Sequence, residues 1–314
     1  MEFALIVGQQ IIIMFLLIFV GFFVYKIKMI DRVGIKQITD FLLYIITPAI
    51  ILSSFTQKRT DELLINLLIA FGLAILSYLV AFAVAYLLIR NKNNPNATIE
   101  RFAIIYPNNG FMGIPLAAAV LGAEGVFYTT AFICIGNVFT WTHGVSIMMK
   151  NREDKNQKMK LPLFQLLLSP ALISFLVGLI VFLFAIPIPE VLLKTIDYIG
   201  ALNTPIAMLV VGVTLAQTNI LSAFKSLKVY KVVAISNLLV PLIVLLISMF
   251  IPVNQNILIN NIIISACPAA AMTIIFAEKY HNDAEYATKV FTLSSLMTII
   301  TMPPVILFTT MLLT

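Results

Sequence analysis

"YPNNGFMGIPLA" (106–117) sits inside a run otherwise apolar enough for lipid. Two prolines, two asparagines and two glycines fall between residues 107 and 115. Proline removes a backbone donor and clashes with the preceding turn. In hydrocarbon an unpaired amide or carbonyl costs several kcal/mol, so irregular backbone survives only against protein or a wet cavity. The stretch therefore predicts a membrane helix that is broken at Pro107-Asn108-Asn109-Gly110 and enclosed by other helices.

The rest of the chain supplies those helices. Of 314 residues, 61% are hydrophobic and 11% charged, against about a quarter charged in a soluble domain. A surface that poor in charge belongs in lipid. Met1–Phe3 is not basic and the first apolar run is long enough to span, so it reads as a membrane helix and not a cleaved leader. Two cysteines in apolar runs and two histidines give no disulfide framework and no metal site. No metal and no cofactor are expected.

About 20 apolar residues cross a bilayer as a helix. Ten such runs are present, at roughly 5–25, 38–55, 63–89, 102–121, 126–149, 163–186, 192–216, 230–251, 257–277 and 287–313. Cytoplasmic loops collect Lys and Arg. With the N-terminus outside, all but Lys58, Arg59 and Lys194 of the 20 Lys and Arg fall on the inner side. The expected topology is N-out and C-out. The same asymmetry explains the net charge of +6 without a nucleic-acid partner.

The second and seventh runs repeat one another. "DFLLYIITPAIILS" (40–53) and "DYIGALNTPIAMLV" (197–210) share an Asp followed seven residues later by Thr-Pro, at an offset of 157. Pro107 in the fourth run has a counterpart in Pro268 of the ninth, at an offset of 161. Residues 1–149 and 163–314 therefore read as two five-helix repeats joined by a cytoplasmic linker, 150–162. Five is odd, so the second copy enters the membrane inverted. The expected fold is all-α and integral to the membrane: ten transmembrane helices as a 5+5 inverted repeat with two broken crossover helices. That arrangement points to a secondary transporter with its site near the midplane.

At such a site each restarted half-helix presents free N–H groups and a partial positive charge, which favours an anion. Asn108 and Asn109 add donors and acceptors. Gly110 and Gly113 let another backbone come close. No Asp or Glu falls in the middle of a run, which weakens a buried-carboxylate proton mechanism. No mid-membrane Lys or Arg is placed to pair with a substrate carboxylate. A singly charged ligand then suits the site better than a doubly charged one, since each buried charge needs its own compensation.

Other polar residues in the runs have structural readings first. Asn137 is expected to hydrogen-bond between helices, with support of the fourth-helix break or a sodium site as its alternative. Ser294, Ser295 and Thr298 are expected to back-bond to their own helix. Thr47 and Thr204 precede prolines, where a hydroxyl can satisfy freed backbone groups. Trp141 and His143 read as interface anchors. Asp40, Glu124, Asp197 and Glu278 read as solvated or capping groups at span ends.

"PNNGFMGIPLA" (107–117), "PAAAMTIIFAEKYHND" (268–283) and "TLSSLMTIITMPPVIL" (292–307) together resemble the auxin efflux carrier family, which includes plant PIN proteins and bacterial permeases for malate, malonate and related acids. The resemblance covers all ten runs. It implies a scaffold and a transport subdomain interleaving the two repeats, and a small organic anion bound beside the two crossover prolines. Carried onto this chain, the binding residues are Pro107, Asn108, Asn109 and Gly110 on one side. On the other they are Pro268, Ala269 and Ala270, with Met272 and Thr273 opening the restarted helix. Plant members have Pro-Gln-Gly at the second break; Pro268-Ala269-Ala270 makes this side less polar. The implied setting is the cell membrane. Coupling to protons or sodium, and a homodimer, are left open. The rival functions are a sodium-coupled bile-acid-like symporter and an anion channel. An intramembrane enzyme would need a nucleophile with a base, paired aspartates or metal ligands; none is visible, so no catalytic residue is expected.

Overall fold

A computed structural model describes residues 2–90, 94–149 and 169–313. The proposed linker and the start of the sixth run lie outside these residues. The described residues are helical, with no named strand and one isolated antiparallel bridge, Pro107 with Ala269. Among the described residues, seven helices are long and apolar enough to cross a membrane. The protein is an all-α, multi-pass membrane protein.

In chain order the helices are α1 (Glu2–Lys26), α2 (Arg32–Ser54), α3 (Asp61–Leu88), α4 (Ala97–Ile105) and α5 (Asn109–Met148). After the undescribed segment come α6 (Pro170–Leu183), α7 (Glu190–Ala216), α8 (Ile220–Phe224), α9 (Leu227–Ser248), α10 (Gln255–Ser265), α11 (Met272–Lys279) and α12 (Ala284–Leu313). Helix α5 is not one rod. Gly122 has φ +62°, and the chain reverses there, so that Gly125 lies against the Ala117 carbonyl. The first limb, 109–121, completes the run that α4 begins. The second limb, 123–148, follows the reversal.

Prolines shape several of these helices. Wide π-turns at Leu42–Ile46, Asn109–Gly113 and Ile235–Leu239 each lead straight into a helical stretch with proline in its first turn: Pro48, Pro115 and Pro241. A proline ring collides with the carbonyl four residues back. A π-turn opens that spacing and keeps the helix continuous.

Close backbone approach fixes the packing of α1 on α7. A Cβ built on Gly21 would strike the Leu209 carbonyl, and one on Gly212 would strike the Ile18 carbonyl. The two glycines thus open reciprocal notches, as small residues do where membrane helices cross. Helix α6 packs on α2 with Gly178 against the Phe55 ring. Phe55, Phe127, Phe175 and Phe182 form an aromatic knot at this end, with centroids 4.8–6.3 Å from Phe55.

Candidate functional site

The site is built where two helices stop short of each other. Helix α4 ends at Ile105 and α5 restarts at Asn109; α10 ends at Ser265 and α11 restarts at Met272. All nine residues of α4 are buried, and so is every residue of 257–265 in α10. Protein thus encloses both leading half-helices.

The freed backbone groups satisfy one another across the gap. The Asn108 amide donates to the Pro268 carbonyl at 2.7 Å, and the Ala270 amide donates to the Tyr106 carbonyl at 3.0 Å. The residues between these bonds, Pro107 and Ala269, face each other in the non-hydrogen-bonded position of an antiparallel pair. That is where a residue without an N–H costs nothing. The bridge sets Pro107 opposite Ala269, one residue out of step with a proline-on-proline match.

The outward amide of Ala269 donates to Ser294 Oγ at 2.8 Å. Ser294 Oγ and Ser236 Oγ both donate to Asn237 Oδ1, at 3.0 and 2.8 Å. Asn237 Nδ2 donates to the Ser294 carbonyl at 3.0 Å and to Thr298 Oγ1 at 3.2 Å. This closed network ties the second break to α9 and α12. Ser294 therefore holds another helix and does not back-bond to its own. Thr298 does back-bond, to the Ser294 carbonyl at 2.9 Å. Ser295 Oγ is buried without a partner among the described residues.

On the first break, Asn108 Oδ1 accepts from the Phe111 amide at 3.3 Å and caps the restarted helix. Its Nδ2 is buried and unpaired among the described residues, as is Thr273 Oγ1. Asn109 Nδ2 donates to Tyr78 Oη at 3.4 Å. Pro107, Asn109, Gly110, Ala270 and Met272 are half-buried, while Asn108, Pro268, Ala269 and Thr273 are buried. Gly110 faces open space and not another backbone. Gly113 does accept a close neighbour, but it is the Ile264 side chain, 2.9 Å from where a Cβ would stand.

The remaining sequence candidates are placed elsewhere. Thr47 Oγ1 accepts from Asn203 Nδ2 at 3.4 Å, so Asn203, not Thr204, makes the link between the two Thr-Pro segments. Thr204 and Asn137 are half-buried and make no side-chain hydrogen bond with a described residue. Next to Asn137, Gly136 matters more: it leaves room for the Tyr78 hydroxyl and Asn109. Asp197 is no idle surface group; it accepts from Ser53 Oγ at 2.5 Å. Both line a cavity of about 220 Å³ with Ala118 and Gly122, at the far end of limb 109–121 from the break.

The burial of two charged residues escapes the sequence reading, which counts Arg101 only as a cytoplasmic flank. Glu100 and Arg101 are buried on α4, 4% and 9% exposed. Glu100 accepts from Tyr286 Oη at 2.8 Å and Asn94 Nδ2 at 2.9 Å. Arg101 donates twice to the Ile89 carbonyl, at 3.0 and 2.6 Å, and stacks 4.2 Å over the Tyr86 ring. Their signal was faint, because "IERFA" looks like the polar edge of a span.

A multi-pass helical protein whose two interrupted helices pair through their broken backbone is the architecture of a membrane carrier. The chain belongs to the membrane transport protein family, whose model matches residues 6–306. It is 25% identical over 207 residues to the "Putative malonate transporter" of Rhizobium meliloti (strain 1021), covering 64% of each chain. It is 24% identical over 217 residues to the "Uncharacterized transporter MJ1031" of Methanocaldococcus jannaschii, covering 66% of this chain and 68% of the relative. The match to the Rhizobium protein spans less than two thirds of that relative's length.

Proposed function

We propose that the chain is a secondary transporter of small organic anions, carboxylates such as malonate or malate, working by alternating access around the paired breaks. The observation that carries this reading is the reciprocal pair Asn108–Pro268 and Ala270–Tyr106. It brings the restarts of two half-helices to one point inside the protein. Helix restarts gather partial positive charge, and Asn108 Nδ2 and Thr273 Oγ1 stand there unspent. On this reading Pro107, Asn108, Asn109, Gly110, Pro268, Ala269, Ala270, Met272 and Thr273 line the substrate path.

The finer architecture belongs to the same proposal: ten spans, N-out and C-out, as two inverted five-span repeats. Supporting it, α1 packs on α7 while α6 packs on α2, the exchange that a two-fold axis in the membrane plane would produce. Arg101 is the one described Lys or Arg that is buried, and its donors are spent on Ile89. Charge compensation at the breaks then rests on amides, which favours a singly charged carboxylate over a doubly charged one.

The test is radiolabelled malonate and its monomethyl ester in proteoliposomes. A carrier gives saturable uptake and counterflow when unlabelled substrate is loaded inside. Uptake that fails to saturate and shows no counterflow would make the protein a channel. Dependence on a sodium gradient would favour the symporter reading.

A further inference from the structure

On the face read as outside, the chain places only Lys58, Arg59 and Lys194 as cations. Lys194 is paired with Glu190. Lys58 and Arg59 are consecutive, exposed and far less committed. Lys58 makes no ion pair and no hydrogen bond among the described residues. Arg59 Nη1 donates to the Leu183 carbonyl, and Nη2 lies 4.0 Å from the Asp61 carboxylate, which is almost wholly in solvent. A guanidinium carries a fork of N–H donors, so most of those on Arg59 stay open.

A cavity of about 260 Å³ lies beside this pair. The loop after α2 (55–59) lines one side, the end of α6 and the loop after it (181–188) line the other, and Leu193 of α7 completes it. Its polar lining is Thr56, Gln57, Lys58 and Arg59; Phe55, Phe182 and the rest are apolar. Thr56 Oγ1 donates to the Ser53 carbonyl at 2.8 Å, and Gln57 Nε2 donates to the Ser54 carbonyl at 2.7 Å. The side-chain donors left at the cavity are therefore chiefly those of the two cations. Carboxylates stay out of it: Asp61 and Glu62 open α3 and line no part of the cavity.

The walls are preset. Ala185 takes the left-handed region at φ +47°, and the Ile186 amide returns to the Val181 carbonyl at 3.0 Å, closing α6 with the turn that glycine usually makes. Arg59 ties this turn to the loop after α2 through the Leu183 carbonyl. Helix α2 ends at Ser54, α6 ends at Leu183 and α7 begins at Glu190. The lining thus gathers at helix ends, the level at which a bilayer carries its phosphates. Phe184, Val191 and Tyr198 are exposed apolar side chains on the same segments, the kind of surface that acyl chains cover.

We propose that this cavity binds the phosphodiester head group of an anionic phospholipid. Lys58 and Arg59 meet the phosphate, and the glycerol and first methylenes lie against Ile186, Ile188 and Leu193. On the proposed topology the lipid comes from the outer leaflet. The inference does not rest on the carrier reading. A small soluble anion would satisfy the cations and leave the apolar lining uncovered; a lipid satisfies both. Bound there, it links the α2–α3 loop to the α6–α7 loop and holds α2, α6 and α7 as one body.

The test uses the purified full chain in detergent with phosphatidylglycerol, phosphatidylcholine or soluble glycerol 3-phosphate added. A phosphatidylglycerol with a photoreactive head group reports the position, its labelled residues mapped by mass spectrometry. Labelling is expected within 55–60 and 181–193, displaced by unlabelled phosphatidylglycerol and not by phosphatidylcholine. A ligand that binds only the folded protein raises its melting temperature, here by about 3 °C or more for phosphatidylglycerol. A Lys or Arg beside an anionic lipid contributes roughly fivefold in affinity, so Lys58→Gln is expected to weaken displacement about fivefold. Lys58 bonds no described residue, so this variant leaves the packing intact. Lys225→Gln, on the opposite face, is expected to label as wild type does. Labelling outside the two loops, or labelling untouched by Lys58→Gln, overturns the proposal. So do equal melting shifts with the two lipids. Displacement by glycerol 3-phosphate at the same concentration as the lipid also overturns it, and makes the cavity a site for soluble anions.

Discussion

Asn108 does two jobs with two atoms. Its Oδ1 caps the restarted helix, and its Nδ2 has no partner among the described residues. Asn108→Ala removes both, and should cost about 1 kcal/mol of stability through the lost cap. It should also weaken anion binding 10-fold or more, since a hydrogen bond to a charged group contributes about 1.5–3 kcal/mol. Asn108→Ser returns a capping oxygen without the amide. Its melting temperature should recover while malonate affinity does not; recovery of both would mean that the amide never meets substrate. The neighbouring serines of α12 make a second contrast. Ser294→Ala strands the Ala269 amide and removes one donor from Asn237, a loss of about 1–3 kcal/mol. Ser295→Ala removes a hydroxyl that bonds nothing described, and should leave the melting temperature unchanged or raised. Equal effects in calorimetry would dismiss the network as the anchor of the second break.

At the scale of elements, the breaks were legible in sequence because their causes are local. Pro107 and Pro268 each remove a helix donor, and the Asn-Asn-Gly run after Pro107 says that the chain restarts there. Partners were not legible. Tyr86, Tyr106 and His143 come together from three segments with no shared spacing, and His143 beside Trp141 looks like any interfacial aromatic cluster. Ser294 and Ser295 are chemically identical in sequence; one holds a neighbouring helix and the other holds nothing described. The π-turns were hidden because a proline predicts a disturbance and not its form. The notches of α1 and α7 were equally silent, since Gly21 and Gly212 differ from Gly72 only in what stands opposite. Gly21→Ala or Gly212→Ala should push the two helices apart and lower both yield and melting temperature. Gly72→Ala meets nothing within 4 Å and should do no harm. Indistinguishable melting curves for all three would mean that the α1–α7 contact yields easily.

For the whole molecule, the orientation proposed from charge placement is open to a labelling test. Both native cysteines are buried, so a cysteine-free background is a mild change to the surface. In that background, cysteines at Ala123 and Asn254 should react with an impermeant maleimide added outside intact cells. One at Lys225 should react only after the membrane is opened. The reverse pattern would turn the protein over and exchange the two faces of the proposed path.

The Asn108–Pro268 bond also sets an order of manufacture. Its two ends lie 160 residues apart in the chain. At about 5–20 residues per second of synthesis, the first break waits on the order of 10 s for its partner. During that interval the Tyr106 carbonyl and the Asn108 amide have nothing to bond except water or a helper protein. A nascent chain stalled before Pro268 therefore carries an open wound at its first break. Such a stalled product should be the species that quality-control proteases find first, and ribosome-bound chains that extend beyond α11 should escape them.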